Sequence, residues 1–247
     1  MAAKNQGEVF WRAWIGDVPR SLREQVRLLG GVQEAARAVG RAPSTVRAWI
    51  RKEEAAIPKT ATDAVKEYGG VQEAARAAGV KPRTLQGWLR KERRGDEIGT
   101  RQAAHIAKLT DKAATKHQAE KKPKGAQAQL RDKVISSPTA RQQAMSSRRA
   151  ARISHSGAHL SISAKVKVDT GRRADERWRE INLNFRDDVM AEPTQAFLSG
   201  NDQATADKLS DAFGRHYAPG TGWKFEEFRG MQIKEFGAGS GGTFPDN

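Results

Sequence analysis

A 24-residue segment occurs twice in this chain. Residues 30–53 read GGVQEAARAVGRAPSTVRAWIRKE and residues 69–92 read GGVQEAARAAGVKPRTLQGWLRKE, with 16 of 24 positions identical at an offset of 39 residues. Two copies are too few for a solenoid, so the repeat predicts two small modules side by side. In the first copy Val32, Ala35, Ala36 and Val39 recur at helical spacing, and small alanines on that face let a second helix cross closely. Gly40 is a C-terminal stop, because glycine tolerates the left-handed conformation that ends helices. Pro43 stands ahead of a new helix, with Ser44 expected as its N-cap. Val46, Trp49 and Ile50 form the apolar face of that helix. A leading helix over residues 20–29, with Leu22, Val26 and Leu29 on one face, is repeated over residues 59–68. Each module is therefore expected to be three helices containing a helix-turn-helix, and the break at Ile57-Pro58 is a short linker.

The residues left facing outward are Ser44, Thr45, Arg47, Ala48 and Arg51 in the first copy, and Arg83, Thr84, Gln86, Gly87 and Arg90 in the second. Such a set suits a recognition helix. Its N-terminal residues enter the major groove, with hydroxyls near phosphate and Arg47 near base edges. The buried faces of the copies match while the outward faces differ, so the copies are expected to share a scaffold and read different base pairs. The alternative is two helical hairpins with solvated basic faces. Agreement of spacing, turn and charge favours DNA.

Charge is unevenly spread. Of a net +15, residues 1–93 carry +8, residues 94–153 carry +9 and residues 154–247 carry −2. A polyanion should be held by the first 153 residues, and the last third should serve another purpose such as protein contacts. Mean hydropathy of −0.74 implies modest cores. There is no cysteine, which excludes disulfides and cysteine zinc sites and fits a reducing cytoplasm, with association to DNA there. No apolar run approaches the ~20 residues that span a membrane, and the N-terminus lacks a signal-peptide pattern, so no membrane partner is expected.

The remaining chain divides by period. Phe10, Trp11, Trp14 and Ile15 make a short amphipathic helix expected to pack on the first module. Residues 96–153 are expected to be a basic helical arm, flexible around KKPKG (121–125). It includes a helix over 100–116 and one over 138–153 with Arg141, Arg148, Arg149 and Arg152 as candidate phosphate contacts. Alternation of Leu160, Ile162, Ala164, Val166 and Val168 with polar residues predicts a half-buried strand, followed by a turn at Thr170-Gly171 and a second strand over 180–185. Helices are expected over 187–198 and 205–217, strands over 223–228 and 231–236, and a disordered tail. The expected fold is thus a mainly α N-terminal half with a small C-terminal α+β domain. Its parts are a first module (1–56), a second module (57–95), the arm (96–153), the α+β domain (154–237) and the tail (238–247).

No self-contained catalytic site emerges. His155 and His159 are four apart but flank Gly157 at a strand entry, and no carboxylate follows at metal-binding spacing, so no metal site is expected. Tyr68 and Tyr217 are the only tyrosines. Both are expected in cores, and neither has the arginine–histidine surroundings of a recombinase nucleophile. The pair Asp187-Asp188 reads as a helix N-terminus, where negative charge is favoured.

The order of parts resembles the terminal proteins that cap linear replicons of Streptomyces and related actinomycetes. The resemblance rests on RRAARISHSGAHLSISAKVKV (148–168), RWREINLNFRDDVM (177–190) and WKFEEFRGMQIKEF (223–236), about the last 100 residues, plus one helix-turn-helix module. The duplicated module departs from the family pattern. The resemblance implies a protein that binds telomeric DNA, duplex or single-stranded at its end, becomes covalently joined to the 5′ end, and primes end-patching synthesis. It would be a primer and acceptor rather than an enzyme. A DNA polymerase acting in trans would bring Mg²⁺ and deoxynucleotide, a telomere-associated protein would be a further partner, and homo-oligomers are possible. The family's priming threonine corresponds, with a gap of about two residues, to Thr170, beside Arg172 and Arg173. Ser161 and Ser163 are the fallback hydroxyls. The alternative is a helix-turn-helix regulator or plasmid segregation factor without covalent attachment, its last third serving as a dimerisation or effector domain.

Overall fold

The computed structural model describes residues 6–120, 125–169, 171, 174–217 and 219–236. Among these, the chain forms α1 (Gln6–Trp14), α2 (Leu22–Leu28), α3 (Val32–Ala38), α4 (Pro43–Ala56), α5 (Ala61–Glu67), α6 (Val71–Ala78), α7 (Pro82–Arg94) and α8 (Thr100–Glu120). These are followed by α9 (Ala126–Ser136), α10 (Pro138–Ala144), α11 (Ser147–Ser156), β1 (Ala158–Asp169), β2 (Ala174–Phe185), a 3-10 turn (Asp187–Met190), α12 (Ala191–Leu198), α13 (Asp202–His216) and β3 (Gly222–Glu235). The architecture is mainly helical, with a small antiparallel sheet near the C-terminus. No helix among the described residues is long and apolar enough to cross a membrane. The chain divides into two compact units. One comprises Met1–Pro19, Gln25–Gly40 and Gln129–Asn247, the other Arg20–Glu24 and Arg41–Ala128.

In the first unit the strand order is β2-β1-β3, with β1 central and antiparallel to both neighbours. The alternation read in the sequence sets its two faces. Ala158, Leu160, Ile162, Ala164, Val166 and Val168 are buried, while His159, Ser161, Ser163, Lys165 and Lys167 take the opposite face. The apolar core also holds Phe185, Phe197, Phe213, Phe225, Phe228 and Ile153. β3 is one continuous strand where two had been expected. Its buried residues Phe225, Phe228 and Met231 are three apart, a spacing that a regular strand cannot place on one face. Register shifts between Ser163 and Ala164 and between Lys165 and Val166 absorb one extra residue each, so all three reach the core. Gly157 joins α11 directly to β1 at φ +82°. A Cβ there would stand 2.2 Å from the Phe185 carbonyl oxygen, so only glycine fits.

Helix α1 belongs to this core. Val9, Phe10, Ala13 and Trp14 pack with the residues of the sheet, correcting the expectation that the aromatic N-terminal helix packs on the first module. Phe10 meets Phe228 edge-on at 4.8 Å, and Trp14 stacks on Phe197 at 4.9 Å while donating to the Thr194 hydroxyl at 3.1 Å. Phe10 and Trp14 are thereby fully withdrawn from water against the aromatic side chains of this core.

Residues 96–153, expected to be a flexible arm, are mostly four helices. α8 contributes Leu109 and Ala113 to a core made with Ala61, Ala64, Ala74, Ala75, Leu85, Trp88 and Leu89, so α5, α6, α7 and α8 pack together in the second unit. Lys112 Nζ and Lys116 Nζ reach back to the Ala77 and Glu67 carbonyls, satisfying helix ends that would otherwise lack donors. The helix expected over 138–153 is two. Met145 and Ser146 are extended between them, and the Ser146 hydroxyl accepts from the Arg149 N–H to start α11. Tyr68 packs against the second unit's core, but Tyr217, also expected inside, is 53% exposed, in T-shaped contact with Phe213 and Trp223. Residues 121–124 and the tail 238–247 lie outside the described residues.

Candidate nucleic-acid interface

The two copies of the repeat share several local bonds at equivalent positions. Ser21 Oγ accepts from the Glu24 N–H at 3.2 Å, and Thr60 Oγ1 accepts from the Asp63 N–H at 3.0 Å, capping α2 and α5 at equivalent positions. Gly30 and Gly31, like Gly69 and Gly70, have positive φ, and their amides bond to residues 27 and 26 in one copy and 66 and 65 in the other. Gly40 and Gly79 are left-handed after α3 and α6. Glu53 accepts from the Leu22 N–H at 2.7 Å; Glu92, 39 residues on, accepts from the Ala61 and Thr62 N–H groups at 2.8 and 3.0 Å. A carboxylate from the last of three helices thus ties down the N-terminus of the first, where the helix dipole is positive. Sequence reading missed this pair, although the repeat marks both glutamates.

α4 and α7 open alike. Pro43 and Pro82 occupy the first helical position after extended Ala42 and Lys81. Ser44 is therefore the second helical residue and not the N-cap. Proline's fixed φ and missing N–H suit that first position, and no side chain caps either helix. Val46 is buried and Trp49 and Ile50 are half-buried on α4; Leu85, Trp88 and Leu89 are buried on α7. Ser44, Arg47 and Arg51 are exposed with Thr45 half-buried beside them, and Arg83, Thr84, Gln86 and Arg90 are exposed. No side chain among Arg47, Arg51, Arg83, Gln86 and Arg90 has a hydrogen bond or ion pair to another described residue. Lys91, Arg93 and Arg94 extend the exposed basic surface of α7.

The arginines expected to contact phosphate from residues 138–153 are placed otherwise. Arg141 is fully buried. Its Nε donates to the Ile135 carbonyl at 2.7 Å, one terminal nitrogen to the Phe197 carbonyl at 2.8 Å, and the other pairs with Asp202 at 2.6 Å. Arg149 donates to the Trp14, Ala13 and Ile233 carbonyls at 2.8, 3.3 and 3.2 Å, closing the end of α1. Arg152 pairs with Glu235. These guanidinium groups are engaged within the fold, Arg141 fully buried and Arg149 and Arg152 half-buried. Arg148 is exposed and remains available. The cause is tertiary: the helix ends of α1, α9 and α12 leave carbonyls that arginine forks fill.

Thr170, with Arg172 and Arg173, lies outside the described residues. The fallback hydroxyls Ser161 and Ser163 are on the sheet face opposite the core. They line a cleft of about 520 Å³ with Glu8, Arg12, Glu180, Arg229 and Gln232, and Ser163 Oγ donates to Glu180 at 2.5 Å. His155 is in the last turn of α11, whereas His159 lies on β1 bonded to Asn184 at 2.8 Å. Among the described residues no group of three metal-ligating side chains comes together. Comparison with family models, with curated proteins and with solved structures found no match to this chain.

Proposed function

We propose that the chain binds duplex DNA through its two repeats, each acting as a helix-turn-helix with α4 and α7 as recognition helices. The observation that carries this reading is the contrast between cations. Arg47, Arg51, Arg83 and Arg90 on the outer faces of α4 and α7 have no side-chain partner among the described residues, while Arg141, Arg149 and Arg152 are engaged within the fold. Free guanidinium groups beside small hydroxyl residues at the start of a helix suit phosphate and base-edge contacts.

The role assigned to that binding is that of a terminal protein of a linear replicon, joined to the 5′ end through a hydroxyl and priming synthesis by a polymerase in trans. Support comes from the resemblance, whose three stretches fall on α11 with β1, on β2 with the 3-10 turn, and on β3, the strands of one sheet. Thr170 is the proposed acceptor. The test mixes purified protein, telomeric template, Mg²⁺, labelled deoxynucleotide and host extract, and resolves the products on a denaturing gel. Alkali-labile label on the wild-type chain that is lost in Thr170→Ala supports the role and the residue. Label that persists in Thr170→Ala and is lost in Ser163→Ala moves the acceptor to the sheet. Absence of label, where a known terminal protein is labelled, refutes covalent priming and leaves a non-covalent DNA-binding regulator.

A further inference from the structure

α4 and α7 open with the same local geometry but carry unequal chemistry. Both begin at a proline in the first helical position. The same backbone bonds follow, Thr45 N–H to Ala42 O at 3.0 Å and Thr84 N–H to Lys81 O at 2.9 Å. The fifth residue of each therefore projects alike, and it is Arg47 in α4 but Gln86 in α7. Both are exposed, and neither side chain is engaged by another described residue. In the major groove an arginine fork matches the two acceptors of guanine, and a glutamine amide matches the donor and acceptor of adenine.

A second difference is coupled to the first. Glutamine is shorter than arginine, so the helix bearing it must lie closer to the bases. The next outward residue is Ala48 in α4 and Gly87 in α7. Nothing lies within 4 Å of where a Cβ on Gly87 would stand, and its φ is not positive, so neither packing nor conformation calls for glycine there. Mid-helix glycine is unfavourable relative to alanine, whereas removal of the methyl shortens the approach to another molecule. Charge differs too. α4 has three basic and two acidic residues, α7 five and one, so the helix that must approach more closely carries the stronger attraction for phosphate.

Resting on the DNA-binding reading above, we infer that one chain recognises an asymmetric bipartite duplex site, with guanine read by Arg47 on α4 and adenine read by Gln86 on α7. The target is not a palindrome, because the two reading helices of a single chain are not equivalent. Gly87 sets the docking depth that lets Gln86 reach.

The test is selection of bound duplexes from a randomised library by the full chain, followed by affinity measurements on the enriched site. The expected site has two unlike halves. Changing the specified guanine or adenine lowers affinity about 5- to 150-fold each. Gln86→Arg exchanges the adenine preference for guanine and leaves the other half unchanged. Gly87→Ala weakens binding and reduces discrimination only in the adenine half. Identical or palindromic halves, an enriched site occupied by one helix alone, or an unchanged preference in Gln86→Arg overturns this inference while duplex binding stands. Failure to enrich any duplex overturns the DNA-binding reading itself, and this inference with it.

Discussion

Replacing Arg141 by alanine removes a charged side chain that the sequence places among DNA-binding candidates and the fold places in a core. The guanidinium is fully buried over the Phe197 ring, 4.5 Å from its centre. It joins three elements: the end of α9 through the Ile135 carbonyl, the end of α12 through the Phe197 carbonyl, and the start of α13 through Asp202. Alanine leaves the Ile135 carbonyl without this donor, at ~1–3 kcal/mol where water does not enter, while the Phe197 carbonyl keeps the Gly200 N–H at 3.0 Å. It also breaks a largely buried ion pair, a change that typically costs ~3–5 kcal/mol in total. The terms overlap, since Asp202 is 28% exposed and recovers some hydration, so the expected loss is about 4 kcal/mol. With a urea dependence of roughly 2 kcal/mol per molar, the midpoint falls by about 2 M. Tryptophan fluorescence follows it, because Trp14 stacks on the same Phe197. Arg141→Lys keeps the charge but not the fork, and should lose less than alanine. Salt dependence of DNA binding is the second readout. Arg148→Ala reduces its slope by about one unit, and Arg141→Ala leaves it unchanged under conditions where the protein is folded. A midpoint shift below about 0.5 M, or a salt slope reduced as in Arg148→Ala, refutes the structural assignment of Arg141.

Three other outcomes follow from the geometry. Glu92→Ala releases two backbone N–H groups and the Thr62 hydroxyl, and should lower stability by ~1–2 kcal/mol. Glu53→Ala should do the same through the Leu22 N–H, and amide exchange at residues 22 and 61–62 should accelerate in the respective variants. Gly157→Ala forces a side chain to φ +82° against the Phe185 carbonyl; a loss of roughly 3 kcal/mol in thermal or urea unfolding is expected, and a neutral result contradicts the α11–β1 junction. The hydrogen bond from Arg131 holds the Glu8 carboxyl below its ordinary value. The folded state thus binds that proton more weakly than the unfolded state. The contribution of the pair is complete above the ordinary glutamate range and fades as pH falls through the lowered value. Wild type should lose its stability advantage over Glu8→Gln across that acidic window, and a gap independent of pH would contradict the pairing.

The amino-acid sequence by itself determined the local structure. An offset of 39 residues, glycines at the turns and alternating apolar residues suffice to place the paired helices and the central strand, because these depend on neighbours a few positions away. The exposed residues of α4 and α7 were legible for the same reason: helical period separates Val46 from Arg47 and Leu85 from Gln86 without knowledge of what lies beneath. Only the tertiary structure decided where α1 packs, since an amphipathic helix states that it has a partner and not which one. It also decided which arginines are free. Arg141, Arg148, Arg149 and Arg152 are chemically alike in the sequence, yet Arg148 faces water while Arg141 is buried and Arg149 and Arg152 are held by carbonyls and a carboxylate from distant elements. Likewise the bulges that turn a three-residue spacing into one face of β3 come from its pairing with β1. The physical reason is common to these cases. A side chain's period is set by the backbone that carries it, but its partner is set by whichever unsatisfied carbonyl, carboxylate or apolar surface folding brings beside it.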